Sequence, residues 1–194
     1  MEDRILEKAE YLFFKYGFKS VTMDDIAKDL GISKKTLYIH FKDKNEIVRL
    51  IVENLVASHK ERSLKSASKA ANAVEEIQLQ VDALLETFKD MKASILYEIE
   101  KYFPDANALL TLHQSEYIVE GIKLNIQRGT SEGLFHQQFE EEFLIDMRLN
   151  LLSSAFQENI YPSQDKNLAS ILKKTTMFYL NAICNKNGRK LIEQ

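Results

Sequence analysis

Tryptophan is absent from this sequence, cysteine occurs once, proline twice and glycine six times. A single cysteine, Cys184, excludes an internal disulfide framework and any cysteine-based zinc cluster. So few prolines and glycines do not suit a sandwich or barrel with many turns; they suit long helices. No apolar run approaches the roughly 18 residues that span a bilayer. Met1-Glu2-Asp3-Arg4 lacks the basic-then-apolar layout of a signal peptide. No membrane partner and a cytoplasmic location are therefore expected. His40, His59, His113 and His136 lie at no metal-ligand spacing, and the chain has neither a glycine-rich phosphate loop nor an evident Ser-His-Asp arrangement. The expectation is a protein that is not an enzyme, with no catalytic residue, no metal and no cofactor. What the chain does have is 45% apolar and 28% charged residues, enough to build a core and unlike a disordered segment.

Charge is unevenly spread. Residues 1–62 hold 12 basic and 11 acidic side chains, and the remainder 14 and 18. The local cluster Lys34, Lys35, Lys42 and Lys44 is opposed only by Asp43. By itself such a cluster suits a solvated face as well as a nucleic-acid contact.

Helical periodicity and capping signals organise the N-terminal region. Ile5, Leu6, Ala9, Leu12, Phe13 and Tyr16 form one stripe, Gly17 stands where a left-handed residue ends a helix, and Phe18 can fold back on it. Thr22 with Asp25 makes a capping-box relation that opens a short helix with Ile26, Ala27 and Leu30 inward, stopped by Gly31. Ser33 caps the next helix, 34–41, which buries Leu37 and Phe41. Asp43 caps a fourth, with Glu46 at the box position, running to about Arg62. Two short helices across a tight glycine turn, after a longer supporting helix, make a helix-turn-helix layout. Ala27 must be small where the two helices cross. The second of them turns Lys34, Lys35, Thr36, Tyr38, Ile39 and His40 outward, as a groove-facing helix needs.

Further along, residues 63–72 are small and polar and read as a connection. A helical pattern covers 73–102, then Pro104 restarts it, with a short helix over 105–112 leading into a longer one ended by Gly133. Gln138 to Glu158 forms the next helix, its acidic run Glu140 to Glu142 complementing the dipole. The last helix spans about Ser163 to Ile183, ended by Asn187-Gly188. These last two helices are apolar around much of their circumference, so each must bury more than one face.

The stretch from Ile5 to Glu53 resembles the DNA-binding domain of TetR-type transcriptional regulators, on Ile5 to Phe13, Tyr16 to Phe18, Thr22 to Ala27, Leu30 to Tyr38 and His40 to Lys44. The resemblance implies an all-α protein: a helix-turn-helix three-helix DNA-binding domain over 1–46, and a helical bundle over 47–194 that binds an effector and dimerises. It implies a homodimer, most often a repressor, that binds a pseudo-palindromic double-stranded DNA operator and is released by a small molecule. Carried over by position, Thr22, Ser33, Lys34, Lys35, Thr36, Tyr38, Ile39, His40 and Lys44 are the candidate DNA contacts. Lysines at 34 and 35 would reach guanine edges; Tyr38, His40 and Lys44 would hold phosphates. Lys35 and Ile39 depart from the family's usual residues, so an operator cannot be borrowed from relatives. For the dimer, through the last two long helices, the candidates are Leu144, Met147, Leu151, Ala155, Ile171, Phe178 and Tyr179.

Phe88, Ile95, Tyr97, Tyr102, Phe103, His113 and Tyr117 are the candidate lining of an effector cavity among the middle helices. The expected effector is mostly apolar or aromatic, oriented by tyrosine hydroxyls or His113; the same spacing also suits ordinary core. Two other readings stand beside this one: the same fold without a small-molecule effector, and a helical interaction domain that has lost DNA binding.

Overall fold

The computed structural model describes residues 1–88, 94–157, 160 and 168–192. As expected, its architecture is all-α; the described residues add one isolated antiparallel bridge between Phe135 and Cys184. The chain divides into two compact units, Met1–Ser58 with Phe88–Leu112, and His59–Thr87 with His113–Gln194. The expected boundary at residue 46 falls inside a helix.

The first unit contains α1 (Glu2–Tyr16), α2 (Met23–Leu30), α3 (Lys34–His40), the N-terminal part of α4 (Lys44–Lys69), α6 (Ile95–Tyr102) and α7 (Pro104–Leu112). One apolar cluster holds it together: Ile5, Ala9, Leu12 and Phe13 from α1, Ile26, Ala27 and Leu30 from α2, Leu37 from α3, Ile47, Val48, Ile51 and Val52 from α4, and Ile95, Ile99, Phe103 and Ala106 beyond. The rings of Phe13 and Phe18 stack at 4.8 Å, and Phe103 meets Phe18 edge-on at 6.0 Å. Gly17 makes the reversal that brings Phe18 back, at φ +97° with its N–H on the Phe13 carbonyl.

The second unit contains the rest of α4, α5 (Ala73–Phe88) up to Thr87, a π-helical segment His113–Ile118, α8 (Val119–Ser131), α9 (Glu141–Ser154), α10 (Leu168–Ile183) and α11 (Lys186–Ile192). Its larger cluster joins Val74 and Ile77 to Ile126, Phe135, Leu144, Tyr179, Leu180, Ile183 and Cys184, and Val81, Ala155 and Leu172 form a smaller one. Arg128 ties α8 to the α4–α5 turn, pairing with Glu76 at 2.8 Å and Glu132 at 2.7 Å while donating to the Ala70 carbonyl.

Several expected boundaries move. α4 runs on to Lys69 rather than stopping near Arg62, because Leu64, Lys65, Ala67 and Lys69 are good helix formers and no glycine or proline interrupts 63–69. α5 is then opened by Asn72, whose side-chain oxygen accepts from Glu75 N–H while the Glu75 carboxylate accepts from Ala71 N–H. The pattern over 73–102 resolves into α5 and α6, with 89–93 outside the described residues. The run after Pro104 is broken by the π-helical segment. α9 begins at Glu141, not Gln138, since Glu140 is extended and serves as the cap. The expected helix ends at Glu158 and Ser163 lie outside the described residues. Asn187 and Gly188 do not end α10; they sit inside α11, where their N–H groups donate to the side-chain oxygen Oδ1 of Asn185. Gly188 is needed there because a Cβ would stand 2.4 Å from the Leu134 carbonyl.

Candidate nucleic-acid interface

Capping fixes α2 and α3. Thr22 Oγ1 accepts from Asp25 N–H at 3.2 Å, and Asp25 Oδ2 accepts from Thr22 N–H at 2.9 Å and its hydroxyl at 2.7 Å, completing the box. These hydrogen bonds hold the Asp25 carboxyl below its usual range. Gly31 is left-handed at φ +67°, and Ile32 N–H returns to the Ala27 carbonyl at 3.0 Å. Ser33 Oγ accepts from Thr36 N–H at 3.0 Å. With Leu37 and Phe41 turned into the core, α3 cannot roll, so its outer face is set by its register.

That face carries Lys34, Lys35, Tyr38 and Ile39, all exposed, with Ile39 at 71%. An apolar branched chain so exposed fits a thymine methyl better than water. Lys34 is paired across the turn with Asp24 at 2.6 Å, which raises its pKa, and its ammonium lies 6.0 Å from the Tyr38 ring centroid. His40 reaches Glu2 at 3.3 Å. Lys35 has no ion pair among the described residues.

Three expected contacts are otherwise occupied in the free protein. The Thr22 hydroxyl is spent on Asp25, and that of Thr36 lies 2.7 Å from Ser33 Oγ. Lys44 does not project: it lies over the rings of Phe13 and Phe103 at 5.7 and 5.6 Å and donates to the Lys19 carbonyl at 3.3 Å. Burial lowers its pKa, against the pull of Glu98 and Asp25. Its α4 position was legible; its inward turn was not, because it depends on Phe103, far along the chain.

The expected effector lining is not brought together. Ile95 and Phe103 belong to the core of the first unit, because Ile95 and Ile99 take the inner face of α6. Tyr97 is thereby turned outward, and Tyr97 and Tyr102 stand exposed around Lys101, whose ammonium is 3.0 Å from the Tyr97 hydroxyl. Phe88 is half-buried in the same unit. His113 and Tyr117 meet in the second unit. Their rings stack at 5.2 Å, and His113 Nε2 lies 2.9 Å from Nδ1 of His59, a residue that no spacing rule singled out. The Tyr117 hydroxyl is already used on the Lys60 carbonyl at 3.1 Å. His113 is 8% exposed and its Nδ1 is buried without a partner. Burial pushes both imidazoles down, His113 to about 4 with help from His59 and Lys60, so the pair is neutral near pH 7.

The expected dimer set also divides. Leu144, Ala155 and Tyr179 face the interior of their own unit, where the Tyr179 hydroxyl donates to the Leu144 carbonyl at 3.2 Å. Met147, Leu151 and Ile171 are half-buried, and Phe178 is 63% exposed, joined by Phe143 and Met177. The sequence showed that both helices have two apolar faces but not which residue belongs to which. Among the described residues, no group of three or more His, Cys, Asp or Glu is placed to hold a metal ion, and no helix is long and apolar enough to cross a membrane.

A capped helix pair in fixed register, with a basic and amphipathic outer face, defines a helix-turn-helix DNA-binding protein. Residues 5–51 match the family described as bacterial regulatory proteins, tetR family. The HTH-type transcriptional regulator SAB2452 of Staphylococcus aureus is 31% identical over 142 residues, covering 73% of this chain and 74% of that protein. The negative regulator of the biofilm operon icaADBC, IcaR of Staphylococcus epidermidis, is 44% identical over 54 residues, 28% of this chain and 29% of that one. The chain thus spans less than a third of that relative's length. A TetR-family regulator from Agrobacterium tumefaciens has the same fold, with TM-score 0.77 and 16% identity over 95% of this chain and 97% of the other. The chain belongs to the TetR family: it is a DNA-binding transcriptional regulator and not an enzyme.

Proposed function

We propose that this regulator is a homodimeric repressor that acts in the cytoplasm and binds a pseudo-palindromic operator through α3. In this reading residues 1–46 are the DNA-reading head and 47–194 the effector and dimerisation domain. The observation that carries it is the exposed face of α3, where Lys34, Lys35, Tyr38 and Ile39 project together while Leu37 locks the helix to the core. Lys35 is the first candidate for a guanine edge and Ile39 for a thymine methyl. Tyr38 and His40 hold phosphates, and Thr22, Ser33 and Thr36 contribute mainly by setting the helix termini. Lys44 reaches a phosphate only by leaving its aromatic seat. Two heads would read half-sites roughly 34–36 Å apart. Likeness to a negative regulator favours repression.

The effector is small and mostly apolar or aromatic, and it binds the second unit. The unpartnered Nδ1 of His113, at the start of a π-helical segment, supports a polar anchor there. Effector binding releases DNA by favouring a head spacing that no longer fits. Phe143, Met177 and Phe178 are the apolar surface left for a second subunit.

Fluorescence anisotropy with the DNA upstream of the protein's own gene, against a shuffled duplex at two salt concentrations, tests the reading. Tight, salt-dependent, sequence-selective binding is expected. No binding at either salt overturns it.

A further inference from the structure

Arg148, on α9, is only 5% exposed, yet no carboxylate pairs with it among the described residues. Its Nη1 donates to Thr176 Oγ1 at 3.0 Å, and its guanidinium carbon lies 5.3 Å from the centroid of the Tyr179 ring. A guanidinium offers five N–H groups in a planar fork, and Thr176 takes one. Sealing the others without partners would be severely unfavourable. They are not wholly sealed: among the described residues His113 Nδ1 is the fully buried side-chain atom without a partner, so the Nε and Nη2 edge of Arg148 keeps a sliver of solvent contact. Burial lowers the guanidinium to about 10, with Tyr179 pulling the other way, and it stays charged at neutral pH. The result is a recessed cation with one free edge and apolar neighbours, with Leu144 and Ile145 one turn back on the same helix.

We propose that Arg148 is an anion-recognition residue of the second unit, taking the carboxylate of a small monoanionic acid with an apolar body. This deepens, and rests on, the effector reading. The planar fork matches a carboxylate, whose two oxygens accept parallel N–H bonds. One unpaired cation balances one negative charge; a dianion would leave the second uncompensated among Leu144, Ile145 and Tyr179. The other cations of this helix pair cannot supply it, since Lys173 and Lys174 are exposed and Lys173 lies 3.7 Å from Asp82. The apolar neighbours favour a hydrocarbon or aromatic body over a polar one.

Titration calorimetry and thermal melting of the full chain with octanoate and benzoate, each beside its alcohol, test this. Octanoate or benzoate should bind the native protein at least about tenfold more tightly than octanol or benzyl alcohol. Arg148→Met should erase that preference, and without ligand it should melt no lower than the native chain, because it removes an unpaired buried charge. Arg148→Lys keeps the charge without the fork, and should lose most of the preference; it decides the question if Arg148→Met does not fold. Equal binding of acids and alcohols overturns the role of Arg148 while leaving an apolar effector site standing. Binding of neither overturns both. An acid preference that survives in Arg148→Met also overturns the proposal.

Discussion

Glu98 Oε2 accepts the backbone N–H of Lys19 at 2.7 Å, although 79 residues separate them. The same carboxylate occupies the space beside Gly17, where a Cβ would stand 2.9 Å from Oε1. Lys44 completes the arrangement by donating to the Lys19 carbonyl. The loop between α1 and α2, already anchored by the buried Phe18 and Val21, is thus also held at both the N–H and the C=O of Lys19.

Glu98→Ala should lower stability by about 1–2 kcal/mol, the usual worth of a hydrogen bond with one charged partner. Gly17→Ala should cost a similar amount, about 1–3 kcal/mol, because it adds a Cβ both at positive φ and against Glu98. The two effects should not add. Removing Glu98 relieves the steric part of the Gly17→Ala penalty and leaves the backbone part. Denaturant melts of the two single variants and the double variant check this, and strict additivity would count against the contact.

The helix-turn-helix was legible because every determinant is local. Thr22 with Asp25, Gly31, Ser33 and the Leu37–Phe41 pair act within a few residues of one another, and each takes the role its spacing implies. Distant partners were not legible. Nothing in the sequence links Lys34 to Asp24 rather than to phosphate, Glu98 to Lys19, or His59 to His113, since each depends on how helices pack. The two-faced character of α9 and α10 was visible, but assigning Leu144 inward and Phe178 outward needed the packing of α9 on α10.

If α3 reads the operator as proposed, the Asp24 pair makes Lys34 a conditional DNA contact. Its carboxylate must be displaced before the ammonium can meet a phosphate. Asp24→Asn should therefore tighten DNA binding several-fold at low salt and steepen the salt dependence by about one counterion, and the gain should vanish in a Lys34→Gln background. Lys35 has no such competitor. Lys35→Ala should weaken binding outright and change base preference at one position per half-site, by about 1–3 kcal/mol. Anisotropy titrations over a salt series with a panel of singly substituted sites separate the two lysines.

His113 ties stability to pH. Its folded pKa, about 4, lies below the ordinary histidine value, and burial lowers His59 in the same direction. The unfolded chain therefore takes up protons that the folded chain refuses as pH falls from about 6.5 to about 4. The contribution is fully present above about pH 6.5 and is lost through that window, up to about 3 kcal/mol for His113 alone. His113→Phe should flatten the pH dependence of the urea midpoint across the window. An equally steep acid limb in that variant would place the titration elsewhere.

Leu144 and Phe178 separate folding from assembly. Leu144 is 5% exposed and packed in its own unit, so Leu144→Asp buries an unpaired charge and should prevent folding. Phe178 is exposed on α10, so Phe178→Asp should leave helicity and melting of the single chain intact. If Phe143, Met177 and Phe178 meet a second copy, Phe178→Asp sets two charges against each other near the symmetry axis and should convert the dimer to monomer. Operator affinity should then fall by two orders of magnitude or more, because two tethered heads act at an effective concentration that free heads lack. Sedimentation velocity and anisotropy on the same sample read both effects. A dimeric Phe178→Asp protein with full operator affinity would move the subunit contact off this face.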